Sequence, residues 1–392
     1  MLLTAMASVA ALAACNVLLG NEERELDGNV LGATPDGSSS ADVRIVPSDA
    51  GASCDADLVR DPRNCRACGH DCLQGDCASG QCQPFLLATG QTGPANLATE
   101  DGGLYWTNND GTVHGCTAAT CGATSKVLTS VDAGNPLLSG LAVQNAQLYF
   151  VAYYTDSIYS CPVAGCGSPQ KIAGNIPQPS SIATDGQNAF VVSASQAYLA
   201  RCALPSCAGG AVRVAGDGKP AWYGTVVDET NAYWYGGGPT GQFDKAIIYR
   251  ASKTLVDGGP EVLLANRTIR PGASSGNIAV RKGTMFVAED GPKVDGGATS
   301  TGTVFKMSLG AGLAQFPLAT AQPPMAGIAV DDTHVYWVDS SVGAIKRCEI
   351  AGCSMTPTTL VTAQNGPSRP VITETAVYWT EFLGGTIRGL AK

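Results

Sequence analysis

A tandem repeat constrains this chain more than any other feature. From residue 83 onward, an apolar strand reading "IAVDD" or its equivalent is followed by a short polar turn and a second strand with two bulky residues in a row. Aligned on that second strand, the copies are Tyr105-Trp106, Tyr149-Phe150, Phe190-Val191, Tyr233-Trp234, Met285-Phe286, Tyr336-Trp337 and Tyr378-Trp379. Their first members lie 44, 41, 43, 52, 51 and 42 residues apart. A unit of this length, built from β-branched and aromatic segments between Gly/Pro turns, suits a four-stranded antiparallel propeller blade and excludes helical repeats.

The ends of the array predict ring closure. After Tyr378-Trp379 only "GTIRGLAK" remains, one strand short of a blade, whereas "PFLLATGQTGP" at 84–94 matches the outer-strand segments "FPLATAQPP" at 316–324 and "TTLVTAQNGP" at 358–367. Six whole units and one split unit give an all-β, seven-bladed β-propeller, its last blade completed by an N-terminal outer strand. Closure of this kind removes the open edges a sheet array would expose. Composition agrees: 48 glycines, 44% hydrophobic residues and only 15% charged ones indicate a large core, many turns and few charged helix faces. A net charge of −9 disfavours nucleic acid as a partner.

Four segments precede or make up this ring. Residues 1–15 are an apolar run with the layout of an export signal, ending in Leu12-Ala13-Ala14-Cys15. Those four residues resemble the bacterial lipobox, which implies a signal peptide and a lipidated Cys15. An uncleaved transmembrane anchor is the alternative, since the run approaches the ~20 residues that span a bilayer. Asn16, in place of an aspartate, favours an outer-membrane address. Residues 16–53 are polar and aperiodic, a flexible tether. Residues 54–82 hold Cys54, Cys65, Cys68, Cys72, Cys77 and Cys82, too dense for a hydrophobic core, so crosslinks must supply the order. Residues 83–392 are the propeller. Setting Cys15 aside leaves an even set of 14 cysteines, as an oxidising compartment allows. Zinc on Cys65, Cys68, His70 and Cys72 is the competing reading of the small module. Its pattern from Asp61 to Cys72, DPxNCxxCGxxC, resembles cysteine-rich modules of bacterial secreted and lipid-anchored proteins.

The aromatic strands carry a second resemblance. "YWTN" at 105, "YWYG" at 233, "YWVD" at 336 and "YWTE" at 378 resemble the YWTD β-propellers of lipoprotein-receptor ectodomains and their bacterial relatives. The resemblance implies the fold; receptor function does not follow from it.

Cysteine pairs Cys116/Cys121, Cys161/Cys166, Cys202/Cys207 and Cys348/Cys353 fall after the third strand of their blades and read as disulfide staples facing each other across a hairpin. No histidine recurs beside them to complete a metal site. Gly272-Ala273-Ser274-Ser275-Gly276 matches the hydrolase elbow motif, but it precedes a strand and no helix follows. Asn266-Arg267-Thr268 is a chance sequon.

Polar and aromatic residues recur just after the second strands. Asn108, Asn109, Asp110, Tyr153, Tyr154, Asp156, Tyr235, Phe243, Asp244, Glu289, Asp290, Asp339, Glu381 and Phe382 should occupy one face, which also bears the insertions 236–246 and 289–302. This is the candidate binding face. Its acids either close their own turns or converge on a divalent cation such as calcium, the first being preferred. No cofactor is implied. The function expected is that of a non-catalytic cell-envelope or surface lipoprotein. It would be monomeric and membrane-attached through its lipid, with a face that binds a protein, peptide or glycan. The alternative is a metal-dependent propeller enzyme of lyase or lactonase type.

Overall fold

The computed structural model describes residues 56 to 392 apart from 133, 135, 219–222, 238–244, 269–276, 291–301 and 311. Cys15, the tether, Cys54, Phe243, Asp244 and Ser274 lie outside the described residues, as does most of each insertion.

Seven four-stranded antiparallel sheets form the ring, six of them with strands in chain order. The seventh runs Pro367–Ile372, Ala376–Glu381, Thr386–Ala391 and then Phe85–Ala88, with Phe85 opposite Gly389 and Leu86 opposite Arg388. The split blade is therefore closed by an N-terminal outer strand, as the repeat predicts. First strands of successive blades lie against one another around the axis. Among the described residues no helix is long and apolar enough to cross a membrane.

The repeated residues explain why each blade forms. Trp106, Trp234, Trp337 and Trp379 are at most 1% exposed between neighbouring sheets; a large apolar side chain buried this way contributes on the order of 2–3 kcal/mol. In blades four and six the tyrosine before the tryptophan also closes the inner hairpin. Asp228 Oδ1 accepts the N–H groups of Thr230 and Asn231 at 2.8 and 2.7 Å, while its Oδ2 takes the Tyr233 hydroxyl at 2.6 Å. Asp331 does the same with Thr333, His334 and Tyr336. An aspartate at this turn thus satisfies two strand-end donors and orients the aromatic strand.

On the opposite end of the strands, the described loops after the second strand are sewn to the links that enter their blades. The N–H three residues past the second bulky residue donates to that link in five blades: Asn109 to Thr92, Tyr153 to Leu137, Ala194 to Gln178, Ser340 to Pro324 and Phe382 to Gly366, all at 2.8–3.0 Å. Return bonds run from Gln91 to Gly385 and from Gln364 to Gly343. A side chain at Gly343 would place its Cβ 2.1 Å from the Gln364 carbonyl oxygen, and its φ of 63° is a second reason for glycine.

All four propeller staples are disulfides, Cys116–Cys121, Cys161–Cys166, Cys202–Cys207 and Cys348–Cys353, with Cα separations of 4.9 to 5.9 Å. Their geometry corrects the expected placement across the ladder. The last ladder pairs before the hairpin are Gly115 with Lys126, Ser160 with Gln170, Arg201 with Val212 and Arg347 with Thr358. Cys121, Cys166, Cys207 and Cys353 therefore do not sit on fourth strands opposite their partners; each lies inside the hairpin loop, and the bond folds that loop back on the third strand. Cys121 opens a single helical turn, Cys121–Thr124, an interruption that an all-β reading of the hairpin does not anticipate. Cys207 takes the left-handed conformation, φ 50°, in a turn closed by its N–H on Ala203 O at 2.7 Å. Cys353 begins another turn, its carbonyl accepting the Thr356 N–H at 2.9 Å. Cys166 donates its N–H to Leu128 O of the preceding blade at 2.9 Å. The physical reason is loop length: the fourth strands begin only at Lys126, Gln170, Val212 and Thr358, several residues after the second cysteine. In blade four, which lacks a staple, Arg250 and Glu261 make an ion pair of 2.6 Å at the corresponding ladder end.

The small module is held by Cys65–Cys77 and Cys72–Cys82, and Cys68 is also disulfide-bonded. It packs on the stapled end of the ring: His70 Nε2 lies 2.7 Å from the Lys392 main-chain oxygen, and Gln74 Nε2 donates to Ala118 O at 2.7 Å.

Candidate functional site

The sequence places the residue two positions past the second bulky one at the binding face; in blades one, six and seven it turns inward. Asn108, Asp339 and Glu381 are at most 3% exposed. Each belongs to the same constellation: a glutamine from the entering link, the tryptophan, the polar residue, and a basic residue of the third strand opposite the tryptophan. In blade six Lys346 Nζ bonds Asp339 Oδ2 at 3.0 Å and Gln322 Oε1 at 3.3 Å, while Asp339 Oδ1 accepts the Ser341 N–H and hydroxyl. In blade seven Glu381 Oε2 accepts Arg388 Nε at 2.8 Å and the Thr386 hydroxyl, and Oε1 accepts the Asn365 N–H at 2.9 Å. In blade one Gln91 Oε1 accepts Trp106 Nε1 at 2.8 Å and Asn108 Nδ2 at 3.1 Å, with His114 stacked on the indole at 5.6 Å.

The other acids are also engaged. Asp110 Oδ1 accepts the Thr112 N–H and hydroxyl. Although burial opposes its charge, these bonds hold the Asp110 carboxyl below the usual carboxylate range. Asp156 has φ 51°, at a turn where blades one, six and seven carry Gly111, Gly343 and Gly385, and its Oδ1 accepts the Gln178 N–H. Asp290 is 2% exposed and accepts the Met325 N–H at 2.8 Å. Glu289 ends a strand opposite Thr303. The preferred expectation, that acids close local turns, therefore describes Asp110 and Asp339 well. Asp156 and Glu381 differ, because they reach across to the links between blades, and Asp290 reaches the start of the next blade's first strand. Of the aromatic candidates, Tyr235 is buried with its hydroxyl 3.4 Å from Asn277 O, and Tyr153 stands edge-on to Tyr154 at 5.1 Å. Beside exposed Asn109, Asp110, Ser340 and Ser341, this face presents the large side chains of Tyr154, Val342, Phe382 and Leu383.

The staple cysteines lie at the other end of the strands and are spent on packing. Cys121 and Cys207 are buried in the apolar cores between blades, and Cys353 packs half-buried against the core shared by blades five and six. Sequence spacing finds these pairs but not their placement, because burial of the second cysteine comes from the neighbouring blade.

Two further features carry no sequence expectation. Gln91, Gln322 and Gln364 end the matching segments "ATGQ", "ATAQ" and "VTAQ", a signal available in the repeat itself. Asn96 ties three first strands together, donating to Leu138 O at 2.8 Å and accepting the Arg369 guanidinium. Among the described residues, the one group of metal-ligating side chains close enough for an ion is Cys65, Cys72 and Cys82, whose sulfurs are bonded in disulfides.

No family model and no curated protein matches the chain in sequence. Solved structures do match in fold. Virginiamycin B lyase from Staphylococcus aureus aligns over 79% of this chain and 98% of its own, at 10% identity and a TM-score of 0.59. Kuenenia stuttgartiensis hydrazine synthase aligns over 78% and 97%, at 16% identity and 0.60. YCF48, solved bound to a D1 peptide, aligns over 79% and 96%, at 10% identity and 0.55. Identities this low establish the propeller and leave activity open.

Proposed function

We propose that this protein is a lipid-anchored component of the bacterial cell envelope whose propeller is a non-catalytic platform for a protein or peptide partner. One observation carries the reading: on the end of the ring bearing the loops after the second strands, the described carboxylates are engaged by the protein's own donors while large apolar side chains are presented. Tyr154, Val342, Phe382 and Leu383 are 63, 57, 41 and 73% exposed. Val342 and Phe382 flank the same interblade link, bonded to Ala363 and Gly366. Solvated apolar groups held on a rigid frame favour burial against a partner. The histidines supply no paired base: His114 Nε2 bonds Thr112 Oγ1, His334 Nδ1 bonds Thr333 Oγ1, and His70 faces two main-chain oxygens. The YCF48 complex, a peptide on a ring of this fold, is in keeping with such a role.

Capture of envelope proteins by the full chain tests the platform. Phe382→Ser with Leu383→Ser should abolish capture of the partner that the parent protein retains; undiminished capture would sink the reading. Mass spectrometry of the mature N-terminus tests the anchor separately, an unmodified Cys15 overturning it.

A further inference from the structure

The link that enters blade seven, Gln364 to Pro367, carries the only Asn-Gly step in the sequence, Asn365-Gly366. It seats the loop that presents Phe382 and Leu383. The Asn365 N–H donates to Glu381 Oε1 at 2.9 Å, the Asn365 carbonyl accepts the Gly384 N–H at 3.2 Å, and the Gly366 carbonyl accepts the Phe382 N–H at 3.0 Å. Those bonds use every polar main-chain group of the step but one. Among the described residues the Gly366 N–H has no acceptor, and the exposed Asn365 carboxamide has no partner.

An electrophilic side-chain carbon and a main-chain nitrogen thus stand on adjacent residues, neither of them engaged. Glycine adds no Cβ to screen that nitrogen, and Gly366 holds φ 68°, which a larger residue adopts only under strain. Two Asp-Gly steps make the contrast. Gly111 and Gly258, which follow Asp110 and Asp257, donate their N–H groups to Asn108 O and Val214 O, both at 3.1 Å. Their nitrogens are occupied, and an ionised carboxylate is a poorer electrophile than a carboxamide.

We propose that Asn365-Gly366 is a modification site at which the chain converts itself to aspartate and isoaspartate, releasing the loop it seats. The Gly366 nitrogen, losing its proton to hydroxide, attacks Asn365 Cγ; the N–Cγ bond forms, the Cγ–Nδ2 bond breaks, and ammonia leaves a cyclic imide behind. Water then opens the ring. Addition at Cγ yields aspartate and addition at the main-chain carbon yields isoaspartate, so water enters and ammonia departs with no oxidant or cofactor. Isoaspartate lengthens the link by a carbon and leaves a carboxylate where the carbonyl that holds Gly384 stood, close to the carboxylate of Glu381. A longer link and like charges both work against the bonds that seat the loop. The chemistry does not depend on the platform reading.

The full-length oxidised protein is held at mildly alkaline and at mildly acid pH beside a synthetic peptide of residues 360–371, and each is then mapped by mass spectrometry. Position 365 of the protein should exchange its amide NH2 for OH, faster at the alkaline pH, with a fraction that isoaspartyl methyltransferase labels. Amide hydrogen exchange at Phe382 and Gly384 should be on the order of tenfold faster in the converted chains, as loss of a hydrogen bond predicts. Asn365→Gln, whose longer side chain closes the ring poorly, should lose the label and keep the slow exchange. An Asn365 still intact in the protein after the peptide has turned over overturns the proposal. So does label persisting in the same segment of Asn365→Gln. Unchanged exchange at Phe382 and Gly384 in the converted protein overturns the release of the loop.

Discussion

Lys346 Nζ lies 3.0 Å from Asp339 Oδ2, an ion pair closed between the second and third strands of blade six, with the carboxylate side chain 1% exposed. Removing one partner leaves the other charge buried and uncompensated. Lys346→Met should therefore destabilise the ring by about 3–5 kcal/mol. The double replacement Lys346→Met with Asp339→Leu should recover much of that loss. Urea unfolding of the three proteins checks the order.

Gln91 and Gln364 occupy the same repeat position but differ in bonding. Trp106 Nε1 donates to Gln91 Oε1, whereas Gln364 Oε1 and Trp379 Nε1 are both buried without a protein partner. Gln91→Leu should cost about 1–3 kcal/mol by orphaning the buried indole N–H. Gln364→Leu, which breaks no such bond, should cost measurably less. Equal losses would contradict the assigned difference.

Asp331 predicts an acid limb in the stability curve. Burial opposes its charge, but bonds from Lys392, Thr333 and His334 outweigh this and hold its carboxyl well below the usual range. A carboxyl depressed in the folded state stabilises the protein above the unfolded value of about 3.9, and that contribution fades as pH falls through the folded value. Stability should drop as pH is lowered from about 4. Asp331→Asn should lower stability at neutral pH and flatten the drop. Parallel unfolding curves at neutral and strongly acid pH provide the check.

The staples make an additive prediction. Each closes a loop with a sequence separation of 5, so replacing one pair by alanine should cost about 2 kcal/mol on the chain-entropy account. Losses from Cys116/Cys121 and Cys348/Cys353, in separate blades, should sum in calorimetry or urea titration.

Much of the architecture was legible because it repeats. The spacing of Tyr105-Trp106, Tyr336-Trp337 and their equivalents is a local pattern of strand and turn, and the orphan strand at 84–94 announces how the ring closes. The site was legible only in part. Asp339 and Glu381 stand two positions past their tryptophans and Asp110 four past its own, but nothing local says that the nearer position turns inward while the farther one stays at the surface. That difference arises from partners on other strands and links: Lys346 and Arg388 opposite the tryptophans, Asn365 from the link between blades. Likewise the pairing of Cys121, Cys207 and Cys353 follows from their spacing, whereas their position inside the loop depends on where the fourth strand takes up the ladder.

Periodicity and the matching end segments thus determined the blade, the blade number, the closure and the pairing of the staples, since each depends on residues near one another along the chain or on recurrence. Tertiary structure alone decided which polar groups are consumed and which surfaces stay open. Tyr105 illustrates the reason. It reads in sequence as one more copy of a buried position, yet it stays partly exposed, because strand pairing sets Lys126 near it, whose side chain turns to Ala164 of the next blade, where blade seven sets Phe85 against Tyr378.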